Sequence, residues 1–412
     1  MKKRVTTTLL TTILVALAGL LLGSGAQAEA EEDAIVLGAA VSLTGKYSTN
    51  GKHTRNGYDL AVERINAMGG VRVGGESHPL KIIYYDDEST PARGAQLAER
   101  LINQDGVRFL LGPYSSGLTK AIAPVTEKHE IPMVEANGAS RSLFTQGYRY
   151  LFAVLSTSEQ YLESAVALAA ELTRERGGDP SELKVAMAFE NDPFSQDVRA
   201  GVVEDAREHG MDIVVDDKLP PELNDMSATL TKVRALQPDI LVVSGHAKGA
   251  ALAIRQVSEM RVYVPMLALT HCDSADVIGK FGQAAEHAAC ASQWDRSLSY
   301  SDEVFGSAED FAQLFEQTYG YVPPYQAAES AAAVLVFMDA LERAGSTDPR
   351  AVRDALAKTD IQTFYGNVNF DETGKNVAKP MVLYQVQDGQ YRVVAPRRWA
   401  DSEIVYPRPK WQ

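Results

Sequence analysis

Cysteine is scarce in this chain, with only Cys272 and Cys290 among 412 residues. A disulfide-dense scaffold is therefore excluded, and a hydrophobic core must stabilise the fold. A structural zinc site is excluded as well, because the two cysteines with His271 and His287 form no recognised ligand spacing. An oxidising compartment permits a disulfide between the cysteines, and two buried free thiols are the alternative.

The chain also has fewer positively than negatively charged residues. The chain has 40 lysines and arginines against 54 aspartates and glutamates, for a formal net charge of −14. A protein this acidic repels nucleic acid and anionic lipid surfaces, so we exclude both as partners. The charge alone does not restrict the class of small molecule that the protein binds.

A long apolar run occurs only at the start of the sequence. Residues 5–22 carry no charge, follow a basic start at residues 2–4, and precede Ala26-Gln27-Ala28. This pattern predicts a signal peptide at residues 1–28, and hence a periplasmic protein that is not inserted in the membrane after cleavage. A retained membrane anchor is the alternative, which the cleavage pattern and the lack of a second such run disfavour.

Motifs of common enzyme classes are absent. There is no Gly-x-Ser-x-Gly, no His-Glu-x-x-His and no P-loop, and Gly45 opens Gly-Lys-Tyr rather than a dinucleotide fingerprint. These absences are weak on their own, because catalytic triads assemble in space. Together with the secretion signal they favour a binding protein over an enzyme, with no cofactor and no metal.

What the sequence does contain is a regular alternation of strand and helix patterns. The first series has strand predictions at 35–41, 80–85, 108–111 and 132–134, and a second series runs from Ser156 to residue 269. Such alternation predicts parallel sheets with helices on both faces. Two series in one chain predict two α/β lobes.

The last third of the chain has a different pattern. Helices are predicted at 308–319, 325–344 and 351–357, and a hairpin is predicted to turn at Asp388-Gly389. No third α/β series follows, so these helices must pack onto a lobe that is already formed. The tail 407–412 is predicted to be frayed.

Ligands of open α/β sheets bind at the carboxyl ends of the strands. In the first series these ends lead into loops rich in hydroxyls and glycines, which contain Tyr114, Ser116 and residues 135–140. Glycine lets a backbone approach a ligand closely, and Ser116 is predicted to cap the next helix and leave N–H groups suited to a carboxylate. Ordinary βα loops are the alternative reading.

In the second series the strands end on aromatic, imidazole and acidic side chains. One strand leads into Phe189-Glu190-Asn191-Asp192-Pro193-Phe194, and later strands lead into His246 and into His271-Cys272-Asp273. These side chains are expected to face the first lobe across a cleft. For the two histidines, solvated loop positions are the alternative.

Several stretches also carry a family resemblance that spans nearly all of the chain after residue 28. They include Gly38-Ala-Ala-Val-Ser-Leu-Thr-Gly45, Ile65-Asn-Ala-Met-Gly-Gly-Val71, Tyr85-Asp-Asp-Glu-Ser89, Leu111-Gly-Pro-Tyr-Ser-Ser116 and Phe370-Asp-Glu-Thr-Gly374. In combination they resemble the branched-chain amino-acid-binding family, the type I periplasmic binding proteins of ABC importers. The combination is specific for the family and not for the ligand.

The resemblance implies a two-lobed fold with three hinge crossings, near Leu155, Trp294 and Gly366. Lobe I would comprise residues 29–155 and about 295–366, and lobe II residues 156–294 and about 367–412. Each lobe would be a parallel sheet with helices on both faces. The late helices would return to lobe I, and the final hairpin would join lobe II.

The resemblance also implies ligand-binding residues in lobe I. Amino-acid binders of the family hold the ligand carboxylate with hydroxyls and backbone N–H groups of one lobe. The matching positions here are Ser116, Gly138, Ala139 and Ser140. To these we add Tyr114, from the same loop as Ser116, and Tyr47, the aromatic residue of the first loop.

In lobe II the same resemblance places Phe194 and His246 where many relatives have tyrosine. His271 stands where an acid normally binds the ligand ammonium, and Asp273 follows two residues later. A buried ammonium without a charge partner is costly, whereas two imidazoles pair with a carboxylate, a phenol or an amide. The ligand therefore stays open between a small apolar amino acid and an aromatic or other small carboxylate.

The function implied is capture of a small molecule by a monomer that closes on it and delivers it to the permease of an ABC importer. A periplasmic sensor domain that reports the ligand to a receptor is the alternative, since the same fold serves both. An amide hydrolase is a remote alternative, because it would need a nucleophile and a base in the cleft.

Overall fold

The computed structural model describes residues 34–410, and the predicted signal peptide at residues 1–28 lies outside them. The strands are β1 (Ile35–Val41), β2 (Val71–Val73), β3 (Glu76–His78), β4 (Leu80–Asp86), β5 (Phe109–Leu111), β6 (Met133–Glu135), β7 (Leu151–Ala153), β8 (Lys184–Glu190), β9 (Asp212–Leu219), β10 (Ile240–Ser244), β11 (Met266–Thr270), β12 (Ala289–Ser292), β13 (Ser301–Asp302), β14 (Gly306–Ser307), β15 (Asp360–Thr363), β16 (Gly366–Asn369), β17 (Val382–Gln387) and β18 (Gln390–Ala395). The helices are α1 (Ser48–Ala67), α2 (Pro91–Asn103), α3 (Ser116–His129), α4 (Glu163–Glu175), α5 (Pro193–Glu208), α6 (Ser227–Leu236), α7 (His246–Glu259), α8 (Val277–Phe281), α9 (Ala308–Tyr319), α10 (Tyr325–Ala344) and α11 (Pro349–Leu356).

The first large sheet has the strand order β4-β1-β5-β6-β7, and all neighbouring strands are parallel. Strand β1 is buried along almost its whole length, as expected for a strand covered by helices on both faces. Its register pairs Val41 with Asp86, so the loops after β1 and β4 leave the sheet together. The hydroxyl of Thr44 donates to Asp86 at 2.7 Å and ties these loops to each other.

The second large sheet has the order β18-β17-β12-β11-β10-β8-β9. Strands β8 to β12 are parallel, but β17 and β18 are antiparallel to their neighbours. The parallel sheet expected for this lobe is confirmed for β8 to β12, and the predicted final hairpin adds β17 and β18 at its edge. The turn at Asp388-Gly389, where both residues have positive φ (52° and 70°), reverses the chain between β17 and β18, so these two strands are antiparallel to each other.

The late helices pack on the first sheet. Helix α10 contacts α1 and β6, and most of its residues are buried. Its close approach to α1 needs a glycine, since a Cβ on Gly57 would lie 2.2 Å from the carbonyl oxygen of Ala327. Phe337 of α10 also packs edge-on against Phe109 of β5, with ring centroids 5.9 Å apart. The helices after residue 300 thus extend the core that the first sheet begins.

Three segments that pass between the sheets are hydrogen-bonded to one another. The backbone amide of Ser156 donates to the side chain of Gln293 at 3.1 Å, and the Gln293 amide donates back to the Ser156 carbonyl at 2.8 Å. The ammonium of Lys379 donates to the carbonyl of Gln293, and the hydroxyl of Tyr365 donates to its side chain at 3.2 Å. These three segments therefore meet in one buried network.

Two expectations need correction. The sequence pattern of the second series predicts a helix over Glu159–Arg174, but this helix begins at Glu163, after a separate 3-10 turn at Ser158–Gln160. The tail is not frayed at Arg408, which is buried and donates from its backbone amide to the carbonyl of Pro265 at 2.9 Å. Its guanidinium also binds the Val264 and Val262 carbonyls, so the tail is tied to the second lobe.

The described part of the chain contains no helix that is both long and apolar enough to cross a membrane. Its two cysteines form a disulfide, with Cα atoms 6.0 Å apart. The bond joins Cys272, in the loop after β11, to Cys290 in β12. It thereby fixes a loop that carries two of the predicted site residues, His271 and Asp273.

Candidate functional site

The candidate site lies where the carboxyl ends of the two sheets face each other. On the first lobe, Tyr47 follows β1 and Tyr114 follows β5. On the second lobe, Phe194 follows β8, His246 follows β10 and His271 follows β11. Parallel sheets bring these strand ends to one edge, so residues far apart in sequence meet at one cleft.

Tyr114 joins the two lobes at the centre of this cleft. Its hydroxyl lies 2.9 Å from Nδ1 of His246 and 3.0 Å from Nε2 of His271. All three side chains are buried. A phenol has one proton, so it donates to one imidazole nitrogen and accepts an N–H from the other. The contact therefore fixes complementary tautomers of the two histidines.

Aromatic rings surround the two histidines. Tyr47 packs against His246 and Tyr114 with centroid separations of 5.0 and 5.5 Å. Phe194 packs against His246 and His271 at 5.4 and 5.2 Å. The structure thus brings five of the predicted site residues into one cluster. Burial also lowers the pKa of His271 well below its usual value, so this imidazole is neutral.

The predicted residues of the first lobe lie beside this cluster and are hydrogen-bonded among themselves. The hydroxyl of Ser116 accepts the backbone amide of Ser140 at 2.9 Å. The amide of Gly138 donates to Oε1 of Glu135 at 2.7 Å, and the carbonyl of Ala139 accepts the Ser158 amide at 2.8 Å. A binding role for these residues stays a prediction.

The predicted helix cap at Ser116 is wrong. Ser116 is the first residue of α3, and the cap is Ser115, whose hydroxyl accepts the amide of Leu118 at 3.4 Å. The two serines are adjacent, and sequence alone does not reveal which one leaves the helical conformation. Ser115 has φ of 92°, which frees its side chain to reach the first turn.

Both carboxylate oxygens of Asp273 have hydrogen-bond partners. Its Oδ1 accepts the amide of Ser274 at 2.8 Å, and its Oδ2 accepts the amide of Tyr325 at 3.1 Å. Tyr325 opens α10 on the first lobe, so this carboxylate is a second bridge across the cleft. Burial raises the pKa of Asp273 to about 6. Both oxygens are already engaged with backbone amides.

The sequence analysis places the acids of residues 189–194 at the cleft, but it selects only Phe194 of this stretch as a ligand-binding residue and leaves out Glu190 and Asp192. Atoms of Glu190, Asp192 and His246 that can bind a cation lie within 4.8 Å of one another. The ammonium of Lys46, from the first lobe, pairs with Glu190. The pair Asp192-Pro193 was the available signal, since a capping Asp before Pro fixes the start of a helix.

Some buried polar atoms at the cleft lack a hydrogen-bond partner among the described residues. They are Oδ1 of Asn50, Oδ2 of Asp192 and Nδ1 of His271. Leaving such an atom unpaired costs about 1–3 kcal/mol, so each one marks a place where a further polar group would be stabilising.

Two residues of the cluster have strained backbone conformations. His246 and His271 have φ of 53° and 63°, a left-handed conformation that is uncommon outside glycine. Such residues cost of order 1–3 kcal/mol each and cluster at functional sites. Both conformations turn an imidazole towards Tyr114, so the strain is coupled to the contact that joins the lobes.

A cavity of about 250 Å³ adjoins the cluster. Lys46, Tyr47 and Asn50 of the first lobe and Glu190 and His246 of the second lobe line it. Its volume is close to the lower end of the usual range for small-molecule sites, roughly 300 Å³. The cleft is therefore suited to a small organic molecule and not to a polymer.

Two α/β lobes that enclose a buried aromatic and polar cleft define a ligand-enclosing binding protein. The family described as periplasmic binding protein has a sequence model that matches residues 34–390, and the chain belongs to this family. The family and the two-lobed α/β fold inferred from the sequence are both confirmed.

Individual relatives are distant but cover most of the chain. The chain is 25% identical over 410 residues to the Leu/Ile/Val-binding protein homolog 7 of Brucella abortus, covering 96% of this chain and 99% of that protein. A branched-chain amino acid transporter substrate binding protein from Streptococcus pneumoniae, solved with isoleucine, has a TM-score of 0.75 at 22% identity, covering 91% of this chain and 100% of that one. An ABC transporter solute binding protein from Rhodopseudomonas palustris BisB5, solved with 3,4-dihydroxy benzoic acid, has a TM-score of 0.75 at 21% identity, covering 87% and 95%. At these identities the two structures show a shared fold.

Proposed function

We propose that this protein is the periplasmic substrate-binding component of an ABC importer. It captures a small apolar amino acid, or an aromatic or other small carboxylate, between its lobes and hands it to a membrane permease. The observation that carries the proposal is the contact of Tyr114 with both His246 and His271. The side chains that line the cleft are the same ones that hold the lobes together, so binding and closure are coupled.

The ligand would be held by residues of both lobes. On the first lobe we assign Ser116, Tyr114, Gly138, Ala139, Ser140 and Tyr47, and on the second Phe194, His246, His271 and Asp273. The relatives solved with isoleucine and with 3,4-dihydroxy benzoic acid support these two ligand classes. The aromatic rings of the cluster would bury the apolar part of either ligand.

Closure would follow rotation of two rigid lobes about three crossings. We assign residues 29–155 and about 295–366 to lobe I, and residues 156–294 and about 367–412 to lobe II. The network of Ser156, Gln293 and Lys379 supports this division, because it ties the connecting segments together at one point.

The protein would act in the periplasm as a monomer and by binding alone, after removal of residues 1–28. Hydrolysis of an amide by a serine–histidine pair would need a serine hydroxyl in contact with a histidine. The serine hydroxyls beside the cleft instead contact an amide and a carboxylate, Ser116 with the Ser140 amide and Ser140 with Asp197.

A thermal-shift screen of the refolded, ligand-stripped protein tests this function. Leucine, isoleucine, valine, phenylalanine, benzoate and 4-hydroxybenzoate are the probes, because they span both ligand classes. A ligand present at 100 times its Kd stabilises the fold by about 2.7 kcal/mol, which raises the Tm by several degrees. If no probe of either class raises the Tm, the proposal is wrong. Release of product from an amide would overturn it in favour of an enzyme.

A further inference from the structure

Asp192 presents one engaged and one open carboxylate oxygen at the cleft. Its Oδ1 accepts the amides of Phe194 and Ser195 at 2.9 and 3.3 Å and lies 3.3 Å from Nε2 of His246. Its Oδ2 is buried and has no hydrogen-bond partner within residues 34–410. The side chain is only 10% exposed, so bulk water has little access to that oxygen.

The neighbouring acids already have partners. Glu190 pairs with Lys46, and Asp197 accepts the Ser140 hydroxyl. Both oxygens of Asp273 accept backbone amides. Asp192 therefore differs from these acids in keeping an oxygen that is both buried and without a hydrogen-bond partner.

Asp192 also carries its negative charge at neutral pH. Burial by itself would raise the pKa of this carboxyl, but the imidazole of His246 and the hydroxyl and amide of Ser195 outweigh burial and hold the pKa below its usual value. In the part of the chain that the structure describes, His246 is the only ion-pair partner of Asp192. No lysine or arginine of that part is paired with it.

One aromatic ring beside Asp192 complements a positive charge. Phe194 packs against His246, and the face of a phenylalanine ring attracts cations, whereas the ammonium of Lys46 already lies over the Tyr47 ring, 4.8 Å from its centroid. On the opposite lobe, Oδ1 of Asn50 is another buried acceptor without a partner. An ammonium group offers three N–H donors and no acceptor, so it can pair with a carboxylate oxygen that has no partner.

We propose that Asp192 binds the ammonium group of the ligand, and that the ligand is therefore a small organic ammonium compound, either an amino acid or an amine, and not a nitrogen-free carboxylate. This inference rests on the proposed function and narrows its ligand class. It also accounts for the neutral His271 at the position where an acid was expected. The charge partner lies instead at the end of a neighbouring strand, two residues before Phe194.

Matched sets of ligands separate the two ligand classes. Leucine, 3-methylbutylamine and 4-methylpentanoate share one side chain, and phenylalanine, phenethylamine and 3-phenylpropanoate share another. The inference expects calorimetric binding of the amino acid or the amine in at least one set, with the nitrogen-free acid of that set bound at least tenfold more weakly. Benzoate and 4-hydroxybenzoate are added so that failure of this inference is distinct from failure of the proposed function.

The variant that tests the residue is Asp192→Asn. Asparagine keeps an oxygen that caps α5 and removes the charge, so the protein should fold, which a urea unfolding curve without ligand checks. The affinity for the ammonium ligand should fall by roughly 30-fold or more, because a buried charge loses its partner. The matched control is Asp348→Asn, which removes the same charge from the cap of α11, where Asp348 accepts the amides of Arg350 and Ala351. The control should bind like the unmodified protein.

The outcomes are distinct. Binding of the acids alone overturns this inference and leaves the proposed function standing. Equal affinity in Asp192→Asn and Asp348→Asn also overturns it. A rise in Tm with Zn²⁺ alone, lost in Asp192→Asn, would assign the cluster of Glu190, Asp192 and His246 to a metal ion and overturn it. Binding of no probe at all overturns both the inference and the proposed function.

Discussion

Substitution of Tyr114 by phenylalanine removes the hydroxyl that both cleft histidines contact. The ring and its packing against Tyr47 are retained, so the change is confined to two hydrogen bonds. In the closed form the nitrogens of His246 and His271 that faced this hydroxyl would become buried and unpaired. In an open form, water would solvate them. We therefore expect the variant to favour the open form.

The size of the effect follows from the hydrogen bonds lost. Each contributes about 0.5–1.5 kcal/mol net, and an unpaired buried group costs about 1–3 kcal/mol. A total near 2 kcal/mol would shift the ratio of closed to open molecules by roughly 30-fold. If the ligand binds tightly only to the closed form, its Kd should rise by a similar factor.

Two measurements check this expectation. Small-angle X-ray scattering of the ligand-free protein should give a larger radius of gyration for Tyr114→Phe, and calorimetry should give the weaker Kd. The matched control is Tyr58→Phe, because the Tyr58 hydroxyl donates to the Gly112 carbonyl at 2.9 Å inside the first lobe. The control should lower the free energy of unfolding and leave the shape and the Kd unchanged.

The reasoning would be refuted if Tyr114→Phe kept the radius of gyration and bound its ligand within twofold of the unmodified protein. The contact with His246 and His271 would then be a consequence of closure that does not stabilise it. A larger radius in Tyr58→Phe as well would also count against it, because loss of any buried hydroxyl would then open the lobes.

Three further predictions concern stability. Since the pKa of Asp273 is raised from 3.8 to about 6, the folded chain binds more protons than the unfolded chain between these values. This group alone should lower the free energy of unfolding by up to about 3 kcal/mol as pH rises from about 4 to 6. Urea unfolding should show the fall, and Asp273→Asn should make it smaller without removing it, because the pKa values of Asp87, Glu135 and Asp205 are raised too. Gly57→Ala places a Cβ 2.2 Å from the Ala327 oxygen. The overpacking should lower the free energy of unfolding by about 1–3 kcal/mol. An unchanged urea midpoint would mean that α1 and α10 separate freely. Reduction of the disulfide between Cys272 and Cys290, 18 residues apart, should lower the free energy of unfolding by roughly 3 kcal/mol. Dithiothreitol should therefore lower the Tm, and it should have no effect on a variant with both cysteines replaced by serine.

The sequence predicts the elements of this fold well where the pattern is local. The apolar run at 35–41 and the turn at Asp388-Gly389 both form the predicted elements. Strand β12 escaped prediction because Ala-Cys-Ala-Ser has little of the apolar signal of a buried strand, and its burial comes from β11 and β17 on either side. The strand is therefore recognisable only from its pairing with residues that are distant in the chain.

At the candidate site, the residue types could be predicted but their partners could not. His246, His271 and Phe194 were identified because they follow strands, and strand ends converge. Asp192 follows a strand too, but its distinguishing property is a free oxygen, which depends on where Lys46 and other groups of the opposite lobe lie. The hydrogen-bond partners of a buried side chain depend on the tertiary structure, so they cannot be inferred from the residues next to it in the sequence.

The tie of Arg408 to Pro265 has a practical consequence for biosensor design. Pro265 immediately precedes β11, whereas His271 follows that strand at its other end. Arg408 thus lies at the amino end of the sheet, remote from the cleft. A dye or a chip linker attached there would leave the entrance to the cleft unobstructed, so the immobilised protein should report ligand capture as the free one does.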